Sequence, residues 1–289
     1  AEVVVRDGVH EAVGDPTEAA MVVAAAKIGG DRATLDREAP KVGEIPFRVA
    51  ETPLFFTHAY RDRLATHARE IVHRLSQPKL VAEGKTAIPA RYDAPGMDPL
   101  PNCVQVDFAV TRDDDGSWNG RVVELQAFPS LYALMSVQSD TWAEVFQTIP
   151  GLAGTWDWSI GAHPDVAHAR IRELLLGGCD PKEVVLVDYQ PDQQKTLPDF
   201  IATEQLYGVE RCCVTKLKKR GNKLFRDRHG VETQVKRIYN RLVFDELEVK
   251  KVPVPFRWND ELDVTWCSHP NWYWVWSKFC LPHVDHPAV

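Results

Sequence analysis

The spacing of hydrophobic residues changes from one segment of the chain to the next. From about Thr57 to Leu75, apolar residues recur at the intervals that place them on one face of an amphipathic helix. Residues 106–126 instead alternate between apolar and polar side chains, as expected for strands with one buried face. From Val184 to Val187 every residue is apolar, which is typical of a strand buried on both faces. The pattern therefore predicts a mixed α/β chain.

The alternating segment contains a polar Asp/Gly turn and so predicts a β-hairpin. Asp107 lies near the start of the first strand, and Glu124 and Gln126 are two residues apart on the second. The three side chains are expected to share one face, while Val123 and Leu125 face the core. Carboxylate and amide oxygens are ligands of the kind that hold magnesium. The hairpin is therefore either a magnesium site or a surface hairpin whose polar face is solvated.

A further unit begins near Lys182 and follows the order strand, loop, helix, strand. The apolar strand from Val184 to Tyr189 precedes a helix from Leu197 to Tyr207, and Val209 to Val214 forms the next strand. This is a βαβ unit, which predicts a parallel sheet. Asp188 falls at the carboxyl edge of that sheet, where α/β proteins bind ligands. Its side chain could equally cap the loop that follows.

Residues 235–247 are predicted to form another strand, on which Arg237 and Arg241 fall on one face. Two guanidinium groups on one face can form a fork for a carboxylate or a phosphate. The alternative is that both are solvated or paired with Asp245 and Glu246.

The N-terminal segment has a different character. A capping box at Asp15 and Glu18, with Pro16 at the first helical position, predicts a helix within residues 12–30. A short strand ending at Phe47 is expected after it.

The composition excludes several classes of function. With 289 residues, 44% hydrophobic and 26% charged, the chain has the balance of a globular protein long enough for two domains. Its net charge of −7 argues against nucleic acid or an anionic membrane as the partner. No apolar run reaches the roughly 20 residues that a membrane helix needs. No segment resembles a signal peptide, and the six cysteines are scattered, so we expect a cytoplasmic protein with reduced thiols.

Other patterns that carry chemistry are weak. His269, His283 and His286 lie near Cys267 and Cys280, but zinc sites use more tightly spaced pairs, so the sequence does not predict one there. The Gly-rich phosphate loop and the dinucleotide fingerprint are both missing from the sequence.

The hairpin resembles the metal-binding hairpin of the ATP-grasp ligases. In that family an Asp on one strand and a Glu-x-Asn on the next hold the magnesium ions of ATP. Asp107, Glu124 and Gln126 fall on those positions. Gln126 departs from the family's Asn by one methylene, which keeps the amide oxygen and lengthens the side chain. The resemblance implies ATP and Mg²⁺ as cofactors.

Residues 48–289 resemble circularly permuted ATP-grasp proteins of the glutathionylspermidine-synthase type, in which the hairpin comes early and a Rossmann-like domain follows. The segment from Lys236 to Arg241 is similar to that group's valine-aspartate-x-isoleucine-tyrosine-arginine-arginine strand, with Lys for its Asp and Asn240 for its first Arg. Ser277-Lys278 matches a further helix of the group.

This resemblance implies that Arg237, Arg241 and Lys278 belong to the nucleotide site. It also implies that the lysine-bearing strands that grip the phosphates would follow Val289.

Residues 1–47 resemble instead a piece of the nucleotide-binding domain of P-type ATPases, through Gly14 to Ala20 and Glu44 to Phe47. Phe47 falls where that family stacks an aromatic ring on adenine. The family's remaining adenine pocket, its phosphorylated Asp-Lys-Thr-Gly motif and its membrane helices are absent from the sequence. The segment is therefore either an adenine-stacking piece or a remnant that binds nothing alone.

The sequence thus predicts an α/β protein in three parts. Residues 1–47 form a P-type-ATPase-like helical appendage, residues 48–180 an ATP-grasp-like region with the metal hairpin, and residues 181–289 a Rossmann-like parallel-sheet domain. The predicted function is that of an incomplete ATP-grasp-type carboxylate–amine ligase, which binds a small-molecule nucleotide and Mg²⁺ weakly and is inactive as this chain. Its expected partner is a missing C-terminal ATP-grasp half. The alternative is a chimeric or binding protein without turnover.

Overall fold

The computed structural model describes residues 2–6, 9–13, 55–152 and 164–289, with the backbone alone at residues 2–6, 9–13, 278 and 279. The chain divides into two compact units, Ala1–Arg48 and Val49–Val289.

The described part of the first unit is a two-stranded antiparallel ribbon. Strand β1 (Glu2–Arg6) pairs with β2 (Val9–Val13). The segment predicted to hold a helix, residues 12–30, begins inside β2, before the expected cap at Asp15. The helix itself and the strand ending at Phe47 lie outside the described residues.

The second unit opens with the long amphipathic helix that the sequence predicts. Helix α1 (His58–Leu75) begins where the Thr57 hydroxyl accepts a hydrogen bond from the Tyr60 amide at 3.2 Å. This N-cap satisfies one of the amides that have no partner inside the first turn. Ile71 and Leu75, four residues apart, are buried on one side of the helix. A short helix, α2 (Pro78–Lys85), follows.

Helix α1 packs on the inner face of the predicted hairpin. Strand β3 (Gln105–Arg112) pairs antiparallel with β4 (Trp118–Gln126). Leu125 has no exposed surface and belongs to the same buried cluster as Ile71. Gly120 permits the close approach of the helix, because a Cβ atom at this position would lie 2.4 Å from a methyl carbon of Leu64.

Two helices lie between the hairpin and the parallel sheet in the sequence. Helix α3 (Tyr132–Gln147) is followed by α4 (Pro164–Leu176). The ring of Trp142 stacks on Phe146 with centroids 5.2 Å apart. The connection between these helices, with Trp156 and Trp158, lies outside the described residues.

The centre of the unit is a four-stranded sheet in which every neighbouring pair is parallel. Its strands are β5 (Val184–Asp188), β6 (Glu210–Cys213), β10 (Arg237–Asn240) and β11 (Thr265–Cys267). They lie in the order β11-β10-β5-β6. Helix α5 (Leu197–Tyr207) connects β5 to β6. The βαβ unit predicted from the sequence is confirmed.

The first four residues of β5, Val184 to Val187, are all apolar because both faces of the sheet are covered. Val185 and Val187 pack into one hydrophobic cluster, while Val184 and Leu186 pack into another. All five residues of the strand are buried.

A second, antiparallel sheet connects β6 to β10. It consists of β7 (Lys218–Arg220), β8 (Lys223–Arg228) and β9 (Val231–Val235).

The predicted strand over residues 235–247 is wrong in its second half. Strand β10 ends at Asn240, and Phe244–Val249 forms helix α6. Phe244 and Leu247 are three residues apart and are both buried on one side of that helix. The short apolar run that precedes Phe244 has no periodicity of its own, so it could not mark the change from strand to helix. Helix α7 (Trp272–Val275) follows β11.

Within the described ranges, no helix combines the length and the apolar character that a membrane crossing requires.

Candidate functional site

The candidate site lies on the outer face of the β3–β4 hairpin. Asp107 is the direct cross-strand partner of Glu124, and Gln105 is the partner of Gln126. Immediately beyond the Asp107–Glu124 pair the register shifts by one residue, so that Phe108 pairs with Val122 and Val123 is left unpaired. This is a β-bulge, which bends a strand and re-aims its side chains.

The bulge corrects one expectation about the hairpin. Val123 was expected to face the core with Leu125, but its side chain is 56% exposed. The extra residue reverses the alternation, so that Val122 packs against the core beside Leu125. Glu124 lies between the exposed Val123 and the buried Leu125, and its own side chain is exposed. Asp107 is exposed as well.

The two carboxylates have no protein partner. Neither Asp107 nor Glu124 makes an ion pair or a side-chain hydrogen bond with any residue that the structure describes. Like charges that stand directly opposite on neighbouring strands repel each other. A cation between the two side chains would remove that repulsion and would meet a ligand set of hard oxygen atoms.

Gln126 extends this face by one more pair. Its amide nitrogen donates to the side-chain oxygen of Gln105 at 3.1 Å. This hydrogen bond uses the N–H group of Gln126 and leaves its carbonyl oxygen available for another partner. Gln126 is half-buried, and its side chain belongs to the next cross-strand pair on the same face as the two carboxylates.

The loop after the hairpin is fixed to the carboxyl edge of the parallel sheet. Arg241, which follows β10, donates through Nη1 to the carbonyl oxygen of Pro129. Its guanidinium lies 5.8 Å from the ring centroid of Phe128 and 5.9 Å from that of Phe200. Asp199 on α5 accepts a hydrogen bond from the amide of Leu134 at 3.0 Å, near the start of α3. These contacts orient the end of β4 relative to the sheet.

Arg237 and Arg241 do not form the predicted fork. Arg237 donates to the carbonyl oxygens of Leu175 at 2.9 Å and Leu174 at 3.0 Å, and to the hydroxyl of Thr265 at 3.1 Å. Its guanidinium therefore closes the C-terminal end of α4, next to the start of β11. Arg241 lies just beyond the opposite end of β10, and the four residue steps between the two correspond to roughly 13 Å along the strand.

The space for Arg237 depends on Gly177. This residue has a φ of +52°, and a Cβ atom there would lie 2.7 Å from the guanidinium carbon of Arg237. Glycine is thus required both for the backbone conformation and for the side chain that packs on it.

Asp188 lies at the carboxyl end of β5, as predicted, and its side chain caps the turn that follows. Its carboxylate accepts a hydrogen bond from the amide of Tyr189 at 2.7 Å. The residue is 5% exposed. This burial raises the pKa of Asp188 to about 7, although the Tyr189 hydrogen bond and the positive charge of Arg241 oppose the shift.

Two further predicted nucleotide contacts stay predictions. The backbone of Lys278 begins a 3₁₀ helix, Lys278–His283, but its side chain is not described. Phe47 lies outside the described residues.

A second group of potential metal ligands, which the sequence did not predict, lies between α1 and the C-terminal end of the described chain. Single ligand atoms of His67, Glu70 and His286 all lie within 4.8 Å of one another. His67 and Glu70 are three residues apart on α1, a spacing that the sequence could have revealed. His286 comes from the C-terminal end of the described chain, and no sequence spacing connects it to α1.

Comparisons with known proteins give a distant likeness. No protein-family model matches the sequence, and no curated protein matches it. Among solved structures, the chain is similar to a glutathione synthetase-like effector from Globodera pallida in its apo form, with 15% sequence identity and a TM-score of 0.47. The match covers 76% of this chain and 54% of that chain, so this chain spans about half the length of the neighbour. The resemblance of residues 1–47 to P-type ATPases has no support from a family match and stays a prediction.

Proposed function

We propose that the outer face of the hairpin is a magnesium and nucleotide half-site, in which Asp107, Glu124 and Gln126 hold Mg²⁺ jointly with the phosphates of ATP. The observation that carries this proposal is the direct opposition of two exposed carboxylates that have no partner among the described residues. A merely solvated hairpin gains nothing from placing like charges on the same cross-strand pair.

The ligand set fits magnesium better than the softer metals. Mg²⁺ takes oxygen ligands, keeps several of its waters and is normally held by one or two carboxylates together with substrate phosphates. An exposed pair of carboxylates leaves room for those waters and phosphates. The carbonyl oxygen of Gln126 adds a neutral ligand at the edge of the same face.

The resemblance of this hairpin to that of the ATP-grasp ligases supports a place in carboxylate–amine ligation. In such a reaction a carboxylate would take the γ-phosphoryl group of ATP and release ADP, and an amine would then attack the acyl phosphate and release phosphate. The residues of this chain hold the cation and fix its position, and Arg241 stiffens the loop behind it through Pro129.

The chain alone is expected to bind ATP and Mg²⁺ weakly and to have no ligase turnover. No lysine or arginine of the described residues pairs with the carboxylates of this face. Among the described residues, no positive group is therefore held against this face to grip the phosphates together with the carboxylates. A binding protein without turnover is the competing function, and it shares this expectation of weak binding.

Manganese can replace magnesium as a spectroscopic probe. We expect electron paramagnetic resonance to detect Mn²⁺ bound to the full chain in the presence of ATP, with affinity reduced at least about tenfold in Asp107→Asn and in Glu124→Gln. Asp114→Asn is the matched control, because Asp114 is an exposed carboxylate in the turn of the same hairpin. Equal Mn²⁺ affinity in Glu124→Gln and wild type would contradict the proposal.

The production of ADP tests the second part of the proposal. We expect no ADP above background when the chain is incubated with ATP, Mg²⁺ and a mixture of carboxylates and amines. Steady ADP formation that Glu124→Gln abolishes would show a complete active site and would contradict the half-site.

A further inference from the structure

A group of two histidines and one carboxylate joins α1 to the C-terminal end of the described chain. His67 and Glu70 lie on one side of α1, and His286 reaches the same place from the last residues. The Nε2 atom of His286 lies 2.8 Å from a carboxylate oxygen of Glu70. The rings of His67 and His286 are 5.1 Å apart and nearly perpendicular. Single ligand atoms of the three side chains all lie within 4.8 Å of one another.

The three side chains differ in exposure in a way that suits a bound ion. The side chain of His286 is 1% exposed, whereas that of Glu70 is 54% exposed. The Nδ1 atom of His67 is enclosed and has no hydrogen-bond partner among the described residues. A buried polar atom without a partner is uncommon in folded proteins and calls for a water, an ion or another ligand.

We propose that His67, Glu70 and His286 form a transition-metal site that takes Zn²⁺ or a similar ion such as Co²⁺. Two imidazoles and one carboxylate are a frequent ligand set for zinc, with a fourth position left for water. Nitrogen ligands disfavour Mg²⁺ and Ca²⁺, which prefer oxygen. The exposed side of Glu70 leaves that fourth position open to solvent. This site is separate from the Asp107–Glu124 face and does not depend on the function proposed for it.

The protonation of His286 determines how the ion enters. The Nδ1 atom of His286 accepts a hydrogen bond from the amide of Ala288 at 3.1 Å. Its ring proton is therefore on Nε2, where it is donated to Glu70. An ion bound at Nε2 takes the place of that proton, which moves to Nδ1. The Nδ1 atom then no longer accepts from Ala288, so metal binding breaks this one backbone contact.

His67 can bind a metal ion without a proton moving from one ring nitrogen to the other. Burial lowers the pKa of His67, while the negative charge of Glu70 opposes the shift. The neutral imidazole that a metal requires is thus favoured.

The residues that follow His286 are hydrogen-bonded to the hairpin. The carbonyl oxygen of Ala288 accepts from the amide of Val122 at 2.7 Å, and the side chain of Arg121 donates to the carbonyl of Pro287. The segment from His286 to Val289 therefore bridges α1 and β4. A metal bound between α1 and His286 would fix one side of this bridge.

Calorimetric titration of the full chain with Zn²⁺, repeated with Co²⁺, tests the site. We expect one ion per chain, with affinity reduced at least about 100-fold in His67→Ala and in Glu70→Gln, because even the outer partners of metal ligands cost about 10- to 100-fold. His73→Ala and His283→Ala are matched controls, since both histidines are exposed and lie near the site in the sequence. Excess Mg²⁺ and Glu124→Gln should leave the Zn²⁺ affinity unchanged.

Each outcome of this experiment decides the proposal. Because Glu70 is half-exposed, Glu70→Gln should fold normally even if a histidine variant does not, and circular dichroism checks this. A Zn²⁺-dependent shift of the Ala288 amide signal in nuclear magnetic resonance would support binding through Nε2. Absence of Zn²⁺ binding by the wild-type chain, or equal affinity in wild type and Glu70→Gln, would overturn the site.

Discussion

Asp107 stands directly opposite Glu124 in the β3–β4 hairpin, and the strand register shifts by one residue immediately beyond this pair. The shift leaves Val123 without a cross-strand partner and turns its side chain outward. It also keeps Val122 on the inner face beside Leu125. The bulge therefore borders the carboxylate pair without disturbing the packing of the hairpin on α1. Bulges are often found next to functional sites for this reason.

The facing of the β4 side chains can be tested by comparing two alanine substitutions. Leu125 has no exposed surface, whereas Val123 is 56% exposed. We expect Leu125→Ala to lower the free energy of unfolding by about 2 to 5 kcal/mol, because it leaves a cavity in the core. Val123→Ala should change it by less than about 0.5 kcal/mol. Urea denaturation measures both, and a larger loss in Val123→Ala than in Leu125→Ala would show that the register is wrong.

A second comparison tests the structural role assigned to Arg237. Gly177 and Gly178 both have positive φ angles, +52° and +79°. A Cβ atom at Gly177 would collide with the guanidinium of Arg237, whereas a Cβ atom at Gly178 would have no other atom within 4 Å. Alanine costs roughly 1 kcal/mol at either position through the backbone. We expect Gly177→Ala to cost on the order of 2 kcal/mol more, since it displaces Arg237 and removes its hydrogen bonds to the carbonyl groups of Leu174 and Leu175.

Denaturant unfolding of the two glycine variants side by side gives this difference directly. Equal losses in Gly177→Ala and Gly178→Ala would mean that Arg237 does not hold the end of α4. In that case the guanidinium would again be available for a ligand.

The buried carboxylate of Asp188 predicts a pH-dependent effect on stability. Burial raises its pKa to about 7. Between about pH 4 and pH 7 the folded protein therefore keeps a proton that the unfolded chain has released. The unfolded state binds fewer protons in this window, so the contribution of Asp188 to the free energy of unfolding falls as the pH rises.

Asp188→Asn removes this penalty and retains an oxygen that can accept from the Tyr189 amide. We expect the variant to match the wild type near about pH 4 and to be more stable by up to about 4 kcal/mol at about pH 8. Asp114→Asn, at an exposed position, is the control for loss of a surface charge. Thermal and urea unfolding across this range check the prediction. A constant difference between Asp188→Asn and wild type at all pH values would contradict it.

The parts of the fold that the sequence predicted correctly are those set by local periodicity. Helix α1 and the βαβ unit around β5 follow from side-chain spacing over a dozen or so residues, because one turn of helix or one pleat of strand decides which face is buried. The change from strand β10 to helix α6 was missed, since a short apolar run fits either structure.

The contacts of the functional residues could be predicted from the sequence only in part. Asp107 and Glu124 could be placed on one face from the two-residue period alone, but the bulge at Val123 breaks that period and is not marked by it. The structural contacts of Arg237 could not be read from β10, because its partners end a different helix more than 60 residues earlier. The approach of His286 to Glu70, 216 residues away in the sequence, depends on the whole fold.

Isothermal titration of the full chain with ATP in excess Mg²⁺ tests the central claim most directly. A half-site that lacks two charge-assisted hydrogen bonds to phosphate, each worth about 1.5 to 3 kcal/mol, would lose roughly two to four decades of affinity. We therefore predict a dissociation constant in the high micromolar range or weaker, with the remaining binding dependent on Mg²⁺ and lost in Glu124→Ala. A dissociation constant below about 10 µM that Glu124→Ala abolishes would contradict the half-site and show a complete nucleotide site. Binding that Glu124→Ala leaves unchanged would show that the hairpin is not the site.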